Sequence, residues 1–479
     1  MNLTLILDLA LAGHPDRVAV SFGDTRLTYA DIDRQARGVA ARLVADGRPS
    51  VVYIGASAPT LPVGLFAAAR AGVPFIPLNY RLSPDRIDAL LADHPQALVV
   101  HADDDIATVS GDPARAPEAT VDEDLTAVLL YTSGTTAAPK AAVLRHRHLM
   151  AYLFGTVEFG AASEDEAALV TVPPYHVAGI TNLASNLYAG RRIVYLESFD
   201  PDTWLGTVRS EGVTQAMVVP TMLARLVEHL GGAAEADTPS LRSIAYGGAR
   251  MPLPVLRRAL ELFPDAGFVN AYGLTETSST IAVLGPEEHR EAMASDDAAV
   301  GARLGSVGRL VPGVELQVRT EDGALLPTGE TGLLFLRGEQ ISGEYIGSTA
   351  VDSDGWFATR DRGWVDDEGY LFIEGRADDT IIRGGENIAP AEIEDVLVEH
   401  PAVVEAAVIG VPDDEWGQRI AAVVVLSGGA DAGADELREW VRARLRSSKT
   451  PDVVTFRDEL PRTDTGKLLR RNLLAELAT

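Results

Sequence analysis

The sequence predicts an α/β protein with two domains, and three observations support this prediction. Apolar runs of strand length alternate with helical stretches through residues 15–100 and again further along, which is typical of β-sheets packed with helices. Between residues 300 and 375, short β-type runs are separated by Gly, Pro and Asp turns, which indicates a β-rich subdomain. A compact α+β pattern follows. We therefore expect a large N-terminal domain at 1–377 and a small, mobile α+β C-terminal domain at 378–479.

Local sequence patterns predict the individual helices, strands and loops. The N-terminal apolar stretch has no basic segment and is interrupted by Asp8, so it predicts an amphipathic helix and not a signal peptide. Residues 102–124 are acidic and poor in large apolar side chains, which predicts a surface loop. Helices are expected at Tyr29–Ala45, Ser83–Asp93, Pro390–His400 and Ala434–Ser447. Strands are expected at Ser50–Tyr53, Ala97–Val100, Ala127–Tyr131, Ile193–Leu196, Ala216–Val219, Ser243–Tyr246, Glu315–Arg319, Gly332–Arg337, Tyr370–Glu374, Val403–Gly410 and Ile420–Leu426.

Composition and charge exclude several classes of function. Apolar residues make up 46% of the chain and charged residues 23%, which is typical of a globular protein. The net charge of −28 argues against a nucleic-acid partner, because so acidic a surface repels polyanions. The absence of cysteine excludes a disulfide framework, a thiolate metal site and a cysteine nucleophile. No apolar run approaches the ~18 residues of a membrane span, so we expect a cytoplasmic protein.

Lysine is rare in this chain. It occupies three of the 41 basic positions, Lys140, Lys449 and Lys467. Since arginine is used wherever a generic positive charge is enough, these lysines are candidates for positions that need a compact, mobile ammonium group. A chance origin for any one of them is the alternative. All three lie in motifs.

The strongest local signal is the segment Tyr131-Thr-Ser-Gly-Thr-Thr-Ala-Ala-Pro-Lys140, on a loop that leaves the apolar run Ala127–Leu130. Its hydroxyls, glycine and lysine can donate hydrogen bonds to phosphate oxygens. Its spacing differs from the Walker pattern G-x-x-x-x-G-K-[ST]. The residues alone leave two interpretations open, a phosphate-binding loop and a polar turn rich in Ser and Thr.

This segment resembles the phosphate loop of the acyl-adenylate-forming superfamily, which includes acyl-CoA synthetases, adenylation domains of nonribosomal peptide synthetases, and luciferases. Seven further matches follow in the family's order: Pro174-Tyr-His-Val-Ala-Gly179, Tyr246-Gly-Gly-Ala249, Asn270-Ala-Tyr-Gly-Leu-Thr-Glu276, Thr359-Arg-Asp361, Gly375-Arg-Ala-Asp378, Gly384-Gly-Glu-Asn387 and Pro461-Arg-Thr-Asp-Thr-Gly-Lys467. Together they span most of the chain and are far more specific than any one motif. The resemblance implies an AMP-forming acid–thiol ligase of the acyl-CoA synthetase branch that uses ATP, Mg²⁺ and coenzyme A.

The resemblance also implies a nucleotide site. In the family, the tyrosine equivalent to Tyr272 stacks on adenine, the strip equivalent to Gly248–Ala249 covers the other face, and the aspartate equivalent to Asp361 binds both ribose hydroxyls. A core aromatic and a turn cap are the alternatives for Tyr272 and Asp361 taken singly. The full implied nucleotide-binding set is Thr132, Ser133, Gly134, Thr135, Thr136, Lys140, Gly248, Ala249, Asn270, Ala271, Tyr272, Gly273, Asp361 and Arg376.

Three residues are implied to act in catalysis. Thr275 and Glu276 match the family's phosphate and Mg²⁺ contacts, and a carboxylate suits a hard cation that bridges ATP phosphates. Lys467 resembles the lysine that reaches the acyl carboxylate and the α-phosphate during adenylation, where a mobile point charge stabilises developing negative charge. Without the family, a C-terminal lysine would be read as a solvated charge.

The C-terminal segment carries the expected thiol side of the site. Gly384, Gly385 and Glu386 match the segment that lines the site during thioester formation. Because this segment and Lys467 cannot occupy one site together, the small domain is expected to rotate. Asp378 matches the hinge, with an ordinary turn aspartate as the alternative. Trp416 is a candidate to stack on the CoA adenine, with a core tryptophan as the alternative.

The acyl pocket is expected at His176, Val177, Gly179 and Gly247. Peptide-synthetase adenylation domains carry an aspartate for the substrate's α-amine in the corresponding stretch, whereas this chain has His176 and no carboxylate there. A buried ammonium without a partner is costly, so an acid without an α-amine is favoured. His176 either forms or gates the pocket wall, or is purely structural. Small residues there leave room for a bulky acyl group.

The chain departs from the family's sequence pattern at three positions. Alanine stands at Ala137 and Ala141, and arginine at Arg360, where the family usually has glycine.

The chain ends twelve residues after Lys467 with no fused carrier domain, which favours free CoA over a carrier protein. An acyl-AMP ligase loading a separate acyl carrier protein, an amino-acid-activating enzyme, a non-catalytic nucleotide-binding protein and a luciferase-type oxygenase are the alternatives. The acid, the pathway and a homodimeric state are left open.

Overall fold

The computed structural model of the chain describes residues 1–132, 140–413, 415–428, 430–463 and 468–477. Its helices are α1 (Thr4–Gly13), α2 (Tyr29–Ala45), α3 (Thr60–Ala71), α4 (Pro84–Ala92), α5 (His146–Thr156), α6 (Val177–Ala189), α7 (Pro201–Ser210), α8 (Pro220–Leu230), α9 (Leu253–Leu262), α10 (Pro286–Ala294), α11 (Ala298–Ala302), α12 (Pro390–Val398), α13 (Ala434–Arg442) and α14 (Arg470–Leu477). In the described residues no helix is long and apolar enough to cross a membrane.

The strands of the large N-terminal part are β1 (Val18–Phe22), β2 (Thr25–Thr28), β3 (Val51–Ile54), β4 (Phe75–Leu78), β5 (Leu98–His101), β6 (Thr126–Thr132), β7 (Lys140–Arg145), β8 (Ala167–Val170), β9 (Arg192–Tyr195), β10 (Gln215–Val218), β11 (Ser243–Gly247), β12 (Gly267–Leu274), β13 (Ser279–Leu284) and β14 (Arg309–Leu310). Those that follow are β15 (Glu315–Arg319), β16 (Gly332–Arg337), β17 (Glu344–Tyr345), β18 (Ser348–Thr349), β19 (Phe357–Val365), β20 (Leu371–Arg376), β21 (Ile381–Arg383), β22 (Glu386–Ile388), β23 (Val403–Asp413), β24 (Gly417–Leu426) and β25 (Val453–Phe456).

Two large sheets form the N-terminal part. Their strand orders are β18-β17-β7-β6-β4-β3-β5 and β14-β13-β12-β11-β10-β8-β9-β1-β2. One hydrophobic core is shared by both sheets and helices α1, α2, α3 and α6, with Ile6, Phe66, Phe75 and Ile193 among its buried members. Helices α7, α8 and α9 close a second core on the nine-stranded sheet around the fully buried Trp204. This is the helix-packed sheet architecture that the alternating pattern predicts.

The nine-stranded sheet fixes where a ligand can bind. Strands β8, β10, β11 and β12 are parallel neighbours, so their carboxyl ends meet at one edge. The motif residues Gly247 and Tyr272 lie at or near that edge. In open α/β sheets, ligands bind outside the carboxyl ends of parallel strands.

The β-rich subdomain and the small C-terminal part follow. The subdomain is a four-stranded antiparallel sheet, β15-β16-β19-β20, in which Trp364 and Phe372 stack with ring centroids 4.3 Å apart. Strands β21 and β22 form a hairpin, and β23, β24 and β25 a separate three-stranded sheet. Helices α12 and α13 pack on that sheet around Ile393, Leu437 and Val441. Helix α14 packs on β23 through its own buried residue Leu473. The predicted fold class is confirmed.

Local sequence explains how well individual boundaries were predicted. Helix α2 begins as expected because Thr28 and Asp31 form a reciprocal cap, each accepting the other's backbone N–H at 3.1 Å. The helix expected to reach Ser447 instead ends at Arg442, because the N–H of Arg444 donates to the carbonyl of Val441, three residues back, and the last turn tightens.

Two expected loops contain local regular structure. Residues 102–124 contain two short 3₁₀ turns, Ile106–Val109 and Pro113–Arg115, each capped by an aspartate. Tyr131 belongs to β6, in agreement with the strand expected at Ala127–Tyr131. Lys140 was expected on the loop that follows, whereas it begins β7 opposite Thr132. Backbone pairing between the two strands therefore fixes both ends of the predicted phosphate segment.

Candidate active site

The predicted adenine and ribose residues meet in one buried cluster. Tyr272 on β12 donates its hydroxyl hydrogen to the carboxylate of Asp361 on β19. Arg376 on β20 pairs through Nε with the other oxygen of Asp361 at 2.9 Å, and the two residues are directly opposite in the antiparallel register. Asp361 is only 5% exposed. The structure therefore brings together three residues that lie far apart in sequence.

Electrostatics fix the protonation of this cluster. Burial, reinforced by the Asp361 carboxylate, raises the pKa of Tyr272 well above its usual value. The tyrosine hydroxyl consequently remains a hydrogen-bond donor at working pH. The backbone N–H of Asp361 donates to Thr359 Oγ1 at 3.0 Å, and Arg376 Nη1 donates to the Thr359 carbonyl at 3.0 Å. The carboxylate is thus held rigidly, with an arginine beside it, in a protein that is acidic overall.

Arg360 occupies a backbone conformation that favours glycine. Its φ is +63°, in the left-handed region that L side chains rarely adopt. The family's usual glycine at this position therefore has a conformational reason, and the chain retains the conformation with an arginine. The Arg360 guanidinium lies 3.5 Å from the Asp378 carboxylate, and both side chains are exposed. The residue before Asp361 is thereby linked to the expected hinge residue.

The predicted metal and phosphate residues meet at Tyr345, which the sequence analysis missed. Tyr345 on β17 donates its hydroxyl hydrogen to the Glu276 carboxylate, and burial raises the pKa of Tyr345 above its usual value. The ammonium of Lys140 lies 5.7 Å from the centroid of the same ring. The Glu276 carbonyl accepts N–H bonds from Ser342 at 2.8 Å and Gly343 at 3.1 Å. Glu276 and Lys140 therefore face a common site.

Glu276 supplies the carboxylate of the predicted Mg²⁺ site. In the part of the chain that the structure describes, no group of three or more His, Cys, Asp or Glu side chains is arranged to hold a metal ion. Mg²⁺ in nucleotide-dependent enzymes is commonly held by one or two carboxylates together with substrate phosphates. One oriented carboxylate beside a lysine fits that mode of binding.

The glycines of the motifs permit close backbone packing. A Cβ on Gly247 would lie 2.3 Å from the carbonyl oxygen of Ala271, the residue paired with it across β11 and β12. Gly248 has φ +83° and is exposed, with Ala249 beside it. A Cβ on Gly273 would lie 1.8 Å from the Ser279 carbonyl oxygen. Because they lack side chains, these glycines allow neighbouring backbone segments to approach closely at the strip predicted to cover adenine.

Three further residues predicted at the carboxyl edge of the sheet lie in one segment of the chain: Asn270, Thr275 and Glu276. Asn270 is held by a bond from Nδ2 to the Ser306 carbonyl at 3.1 Å. Thr275 and Glu276 form a 3₁₀ turn that continues β12, and Thr275 is half-buried. The whole motif from Asn270 to Glu276 thus follows one strand and its terminal turn.

On the acyl side, His176 immediately precedes α6 and is half-buried, as is Val177. Its ring lies 4.5 Å from the ring of Tyr175 at 52°. Gly179 has no room for a side chain, because a Cβ there would lie 2.4 Å from the Pro173 carbonyl oxygen. The four expected acyl-pocket residues therefore divide into two accessible side chains, His176 and Val177, and two glycines at close backbone contacts.

On the thiol side, Trp416 lies beside the Gly384–Gly385 turn. The Gly384 N–H donates to the Trp416 carbonyl at 2.8 Å, and a Cβ on Gly384 would lie 3.1 Å from the indole ring. Both glycines have positive φ, and Glu386 begins β22 directly after them. Trp416 is 47% exposed, which argues against its interpretation as a core residue. The guanidinium of Arg383 lies 5.6 Å from its ring centroid.

Some predicted residues lie outside the described part of the chain. Ser133, Gly134, Thr135 and Thr136 fall in residues 133–139, and Lys467 falls in residues 464–467. Lys449 is described, and it forms an ion pair with Glu392. The chain neighbours Thr132 and Lys140 mark where the phosphate segment leaves and rejoins the sheet.

A second contact missed by the sequence analysis joins the large and small parts. Arg250, one residue after Ala249, forms an ion pair with Asp395 on α12. Neither this pair nor Tyr345 had a usable sequence signal, because each partner lies in a different motif or in none. The only available hint for Tyr345 was an aromatic residue in a polar Gly-rich segment.

Comparison with known proteins identifies the family. The model of the AMP-binding enzyme family matches residues 7–346, and that of the AMP-binding enzyme C-terminal domain matches residues 392–467. The chain belongs to the AMP-binding enzyme family. It is 36% identical over 482 residues to a feruloyl-CoA synthase from Amycolatopsis sp, with 95% of each chain covered.

Two further proteins are similar over nearly the whole chain. A fatty acid–[acyl-carrier-protein] ligase, ScoC, from Streptomyces coeruleorubidus is 32% identical over 493 residues, covering 96% of this chain and 93% of the relative. The crystal structure of ATP-bound MatB from Rhodopseudomonas palustris matches with a TM-score of 0.86 and 28% identity, covering 100% of this chain and 99% of that one.

Proposed function

We propose that this enzyme activates a carboxylic acid lacking an α-amine as an acyl-adenylate, with ATP and Mg²⁺, and then transfers the acyl group to coenzyme A. The observation that carries the proposal is the convergence at one sheet edge of the Tyr272–Asp361–Arg376 cluster and the Glu276–Tyr345–Lys140 cluster. The first offers an aromatic ring and a carboxylate for a nucleoside. The second offers a lysine and an oriented carboxylate for its phosphates.

In this proposal the nucleoside binds at the first cluster. The Tyr272 ring stacks on adenine opposite the Gly248–Ala249 strip, and Asp361 accepts hydrogen bonds from the ribose hydroxyls. Arg376 pairs with the buried Asp361 carboxylate and compensates its charge there. The phosphate chain extends towards Thr132 and Lys140, the residues on either side of the predicted phosphate segment. Thr275 contacts the phosphates from the turn that ends β12.

Glu276 would hold Mg²⁺ together with the phosphates of ATP. When bound, the ion would neutralise the negative charge that accumulates on the phosphate oxygens. Tyr345 keeps the Glu276 carboxylate oriented by donating to one oxygen and leaving the other free to bind. Lys140 adds a second positive charge on the same side of the ring.

The two half-reactions use these groups in sequence. An oxygen of the substrate carboxylate attacks the α-phosphorus, the bond to the β-phosphate oxygen breaks, and pyrophosphate leaves. Lys467 stabilises the negative charge between the carboxylate and the phosphorus. The thiolate sulfur then attacks the acyl carbonyl carbon, and AMP departs with the electron pair of the C–O bond. Thioester and AMP are the products.

We propose a boundary near residue 377 and a hinge at Asp378. Residues 381–477 have their own sheets and cores, so they can rotate as a unit. The bridges Arg360–Asp378 and Arg250–Asp395 hold the small part against the large one in this arrangement. Rotation would exchange Lys467 for the Gly384–Glu386 segment at the same site, with exposed Trp416 near the incoming CoA.

A carrier protein is the second candidate acceptor. The similarity to ScoC, a fatty acid–[acyl-carrier-protein] ligase, favours considering it. The first half-reaction is the same for both acceptors, so only the thiol differs. A cytoplasmic location and a homodimeric state are compatible with either acceptor.

The test is a product assay with ATP, Mg²⁺ and a panel of acids, with coenzyme A or a holo carrier protein as acceptor. We expect AMP, pyrophosphate and an acyl-CoA, together with acid-dependent exchange of pyrophosphate into ATP. Acids without an α-amine should have the highest kcat/KM. Stoichiometric ADP would refute the proposed reaction. Thioester on the carrier protein alone would favour the second acceptor, and an α-amino acid as the best substrate would refute the proposed acid class.

A further inference from the structure

One face of α6 is accessible although the helix is otherwise packed into the core. Ala178, Asn182 and Ser185 are half-buried, whereas Leu183 and Leu187 are fully buried. The three accessible residues have the i, i+4, i+7 spacing that lines up on one helix face. This accessible stripe begins beside His176 and Val177, the two accessible side chains already described on the acyl side.

The nine-stranded sheet presents a matching accessible row. Met217 on β10, Ala245 on β11 and Val269 on β12 are consecutive partners in the parallel register, and all three are half-buried. Residues next to them in each strand, such as Ala216 and Ile244, are buried on the opposite face. The side-chain nitrogen of Asn182 lies 3.6 Å from the Met217 sulfur, so the stripe and the row face each other. We call the half-buried surface that they share the groove.

A chain of hydrogen bonds fixes the direction of the Asn182 amide. Arg191 Nη1 donates to Asn186 Oδ1 at 2.9 Å, and a guanidinium can only donate. Asn186 Nδ2 must then act as donor, and it bonds Asn182 Oδ1 at 2.8 Å. Arg191 is itself anchored by its Nε bond to Glu166 at 3.0 Å. Because the charged end sets the polarity of the whole chain, Asn182 presents its N–H groups, and not its oxygen, to the groove.

The partner of these N–H groups in the described structure is poor. A thioether sulfur is a weak acceptor, and Nδ2 carries two hydrogens. The surrounding walls, Met217, Ala245 and Val269, are apolar. A neutral oxygen placed in this groove would therefore meet the oriented Asn182 donor among mostly apolar walls, with the Ser185 hydroxyl three residues along the helix as a second polar group. A few polar groups in an apolar lining are usual for a selective small-molecule pocket.

We infer that Asn182 is a specificity residue that donates a hydrogen bond to a neutral oxygen on the acyl group, remote from the reacting carboxylate. The inference rests on the proposed function and names its substrate class: acids with an apolar body and a distal ether, carbonyl or hydroxyl oxygen. Asn182 lies six residues beyond His176, so its Cα atom is roughly 9 Å along the helix axis from that of His176.

The test compares acids that differ only by an oxygen and a methylene group. Pairs of para-methoxy and para-ethyl aryl acids, with zero, one or two carbons between ring and carboxyl, are assayed by pyrophosphate exchange beside matched pairs of ω-methoxy and ω-ethyl alkanoic acids. For pairs of suitable length, wild type should prefer the oxygen-containing acid about 3- to 10-fold in kcat/KM, as expected for one neutral hydrogen bond. Asn182→Leu, which keeps the volume but removes the donor, should abolish that preference.

A second variant and a control separate the possible outcomes. Asn182→Asp retains the bond from Asn186 but turns an acceptor towards the groove, so it should reverse the preference in favour of the methylene acid. Asn472→Leu, the same change on an exposed position of α14, should leave the ratio at the wild-type value. Each ratio is measured on one preparation and does not depend on the folded fraction.

A wild-type ratio near one for every pair, or a preference that survives in both Asn182 variants, would overturn the inference while leaving the proposed function intact. Absence of acid-dependent exchange with every acid would instead refute the proposed function and the inference with it.

Discussion

Replacing Tyr345 by phenylalanine tests whether this residue orients the Glu276 carboxylate, which we propose binds Mg²⁺. The substitution removes one hydroxyl and keeps the ring, so the Lys140 contact at 5.7 Å is retained and only the bond to Glu276 is lost. Partners that orient a metal ligand are worth roughly 10- to 100-fold in metal affinity or activity. Glu276 keeps its backbone bonds from Ser342 and Gly343 and can recruit water, so we expect the lower end, about tenfold.

The assay is the dependence of pyrophosphate exchange on Mg²⁺ at fixed ATP. The Tyr345→Phe variant should need about tenfold more Mg²⁺ for half-maximal exchange, with a smaller change at saturating Mg²⁺. The raised pKa of Tyr345 keeps the hydroxyl protonated, so the difference from wild type should persist through about pH 10.

Tyr370→Phe is the matched control for this experiment. Tyr370 directly precedes β20, near the Val365–Leu371 end of the β19–β20 hairpin, whereas Asp361 and Arg376 pair at the other end. Its ring contacts the guanidinium groups of Arg303 and Arg309, and the substitution keeps the ring. An unchanged Mg²⁺ requirement in Tyr345→Phe, or an equal shift in both variants, would refute the orienting role of Tyr345.

Three further perturbations address the proposed catalysis and hinge. Lys467→Ala should lose roughly 10²- to 10³-fold in acyl-adenylate formation but still make thioester from supplied acyl-AMP, and equal loss in both assays would contradict a role in one step. Asp378→Pro should slow one half-reaction much more than the other, because proline fixes φ and restricts the preceding residue. Wild-type rates in both half-reactions would show that the hinge lies at another position. Arg360→Gly should change the melting temperature little, since relief of the positive φ is offset by a more flexible unfolded chain. It should shift the ratio of half-reaction rates by at most about fivefold, and Asp378→Asn should give the same shift if the exposed bridge is the cause.

Much of the fold was predictable because its signals are local. Short β-type runs bounded by turns predicted β15 and β16 with their observed ends, and a helical stretch predicted α2 with its observed ends. The cap of α2 is encoded within four residues. The Tyr272–Asp361–Arg376 cluster was also predictable in membership, since each residue lies in a short motif. Its hydrogen-bond geometry was not, because it depends on how β12 meets the hairpin of the β-rich subdomain.

Contacts between residues without a motif could not be predicted. Tyr345 reaches Glu276 only because β17 pairs with β7, which carries Lys140, and no local pattern specifies that pairing. Likewise, the direction of the Asn182 amide follows from Arg191, nine residues away, through an intervening asparagine. The donor-to-acceptor direction of these hydrogen bonds is set by the whole network, so no single residue of the sequence specifies it.

The bridges Arg250–Asp395 and Arg360–Asp378 have a consequence for ionic strength. Both are single arginine–aspartate pairs with substantially exposed side chains, so dissolved ions screen them strongly, with a Debye length of about 10 Å at 0.1 M salt and about 3 Å at 1 M. Concentrated salt therefore weakens the contacts that hold the small part in the described arrangement. Crystals grown from low-salt polymer solutions and from molar salt should consequently sample different orientations of residues 378–479 in the same enzyme.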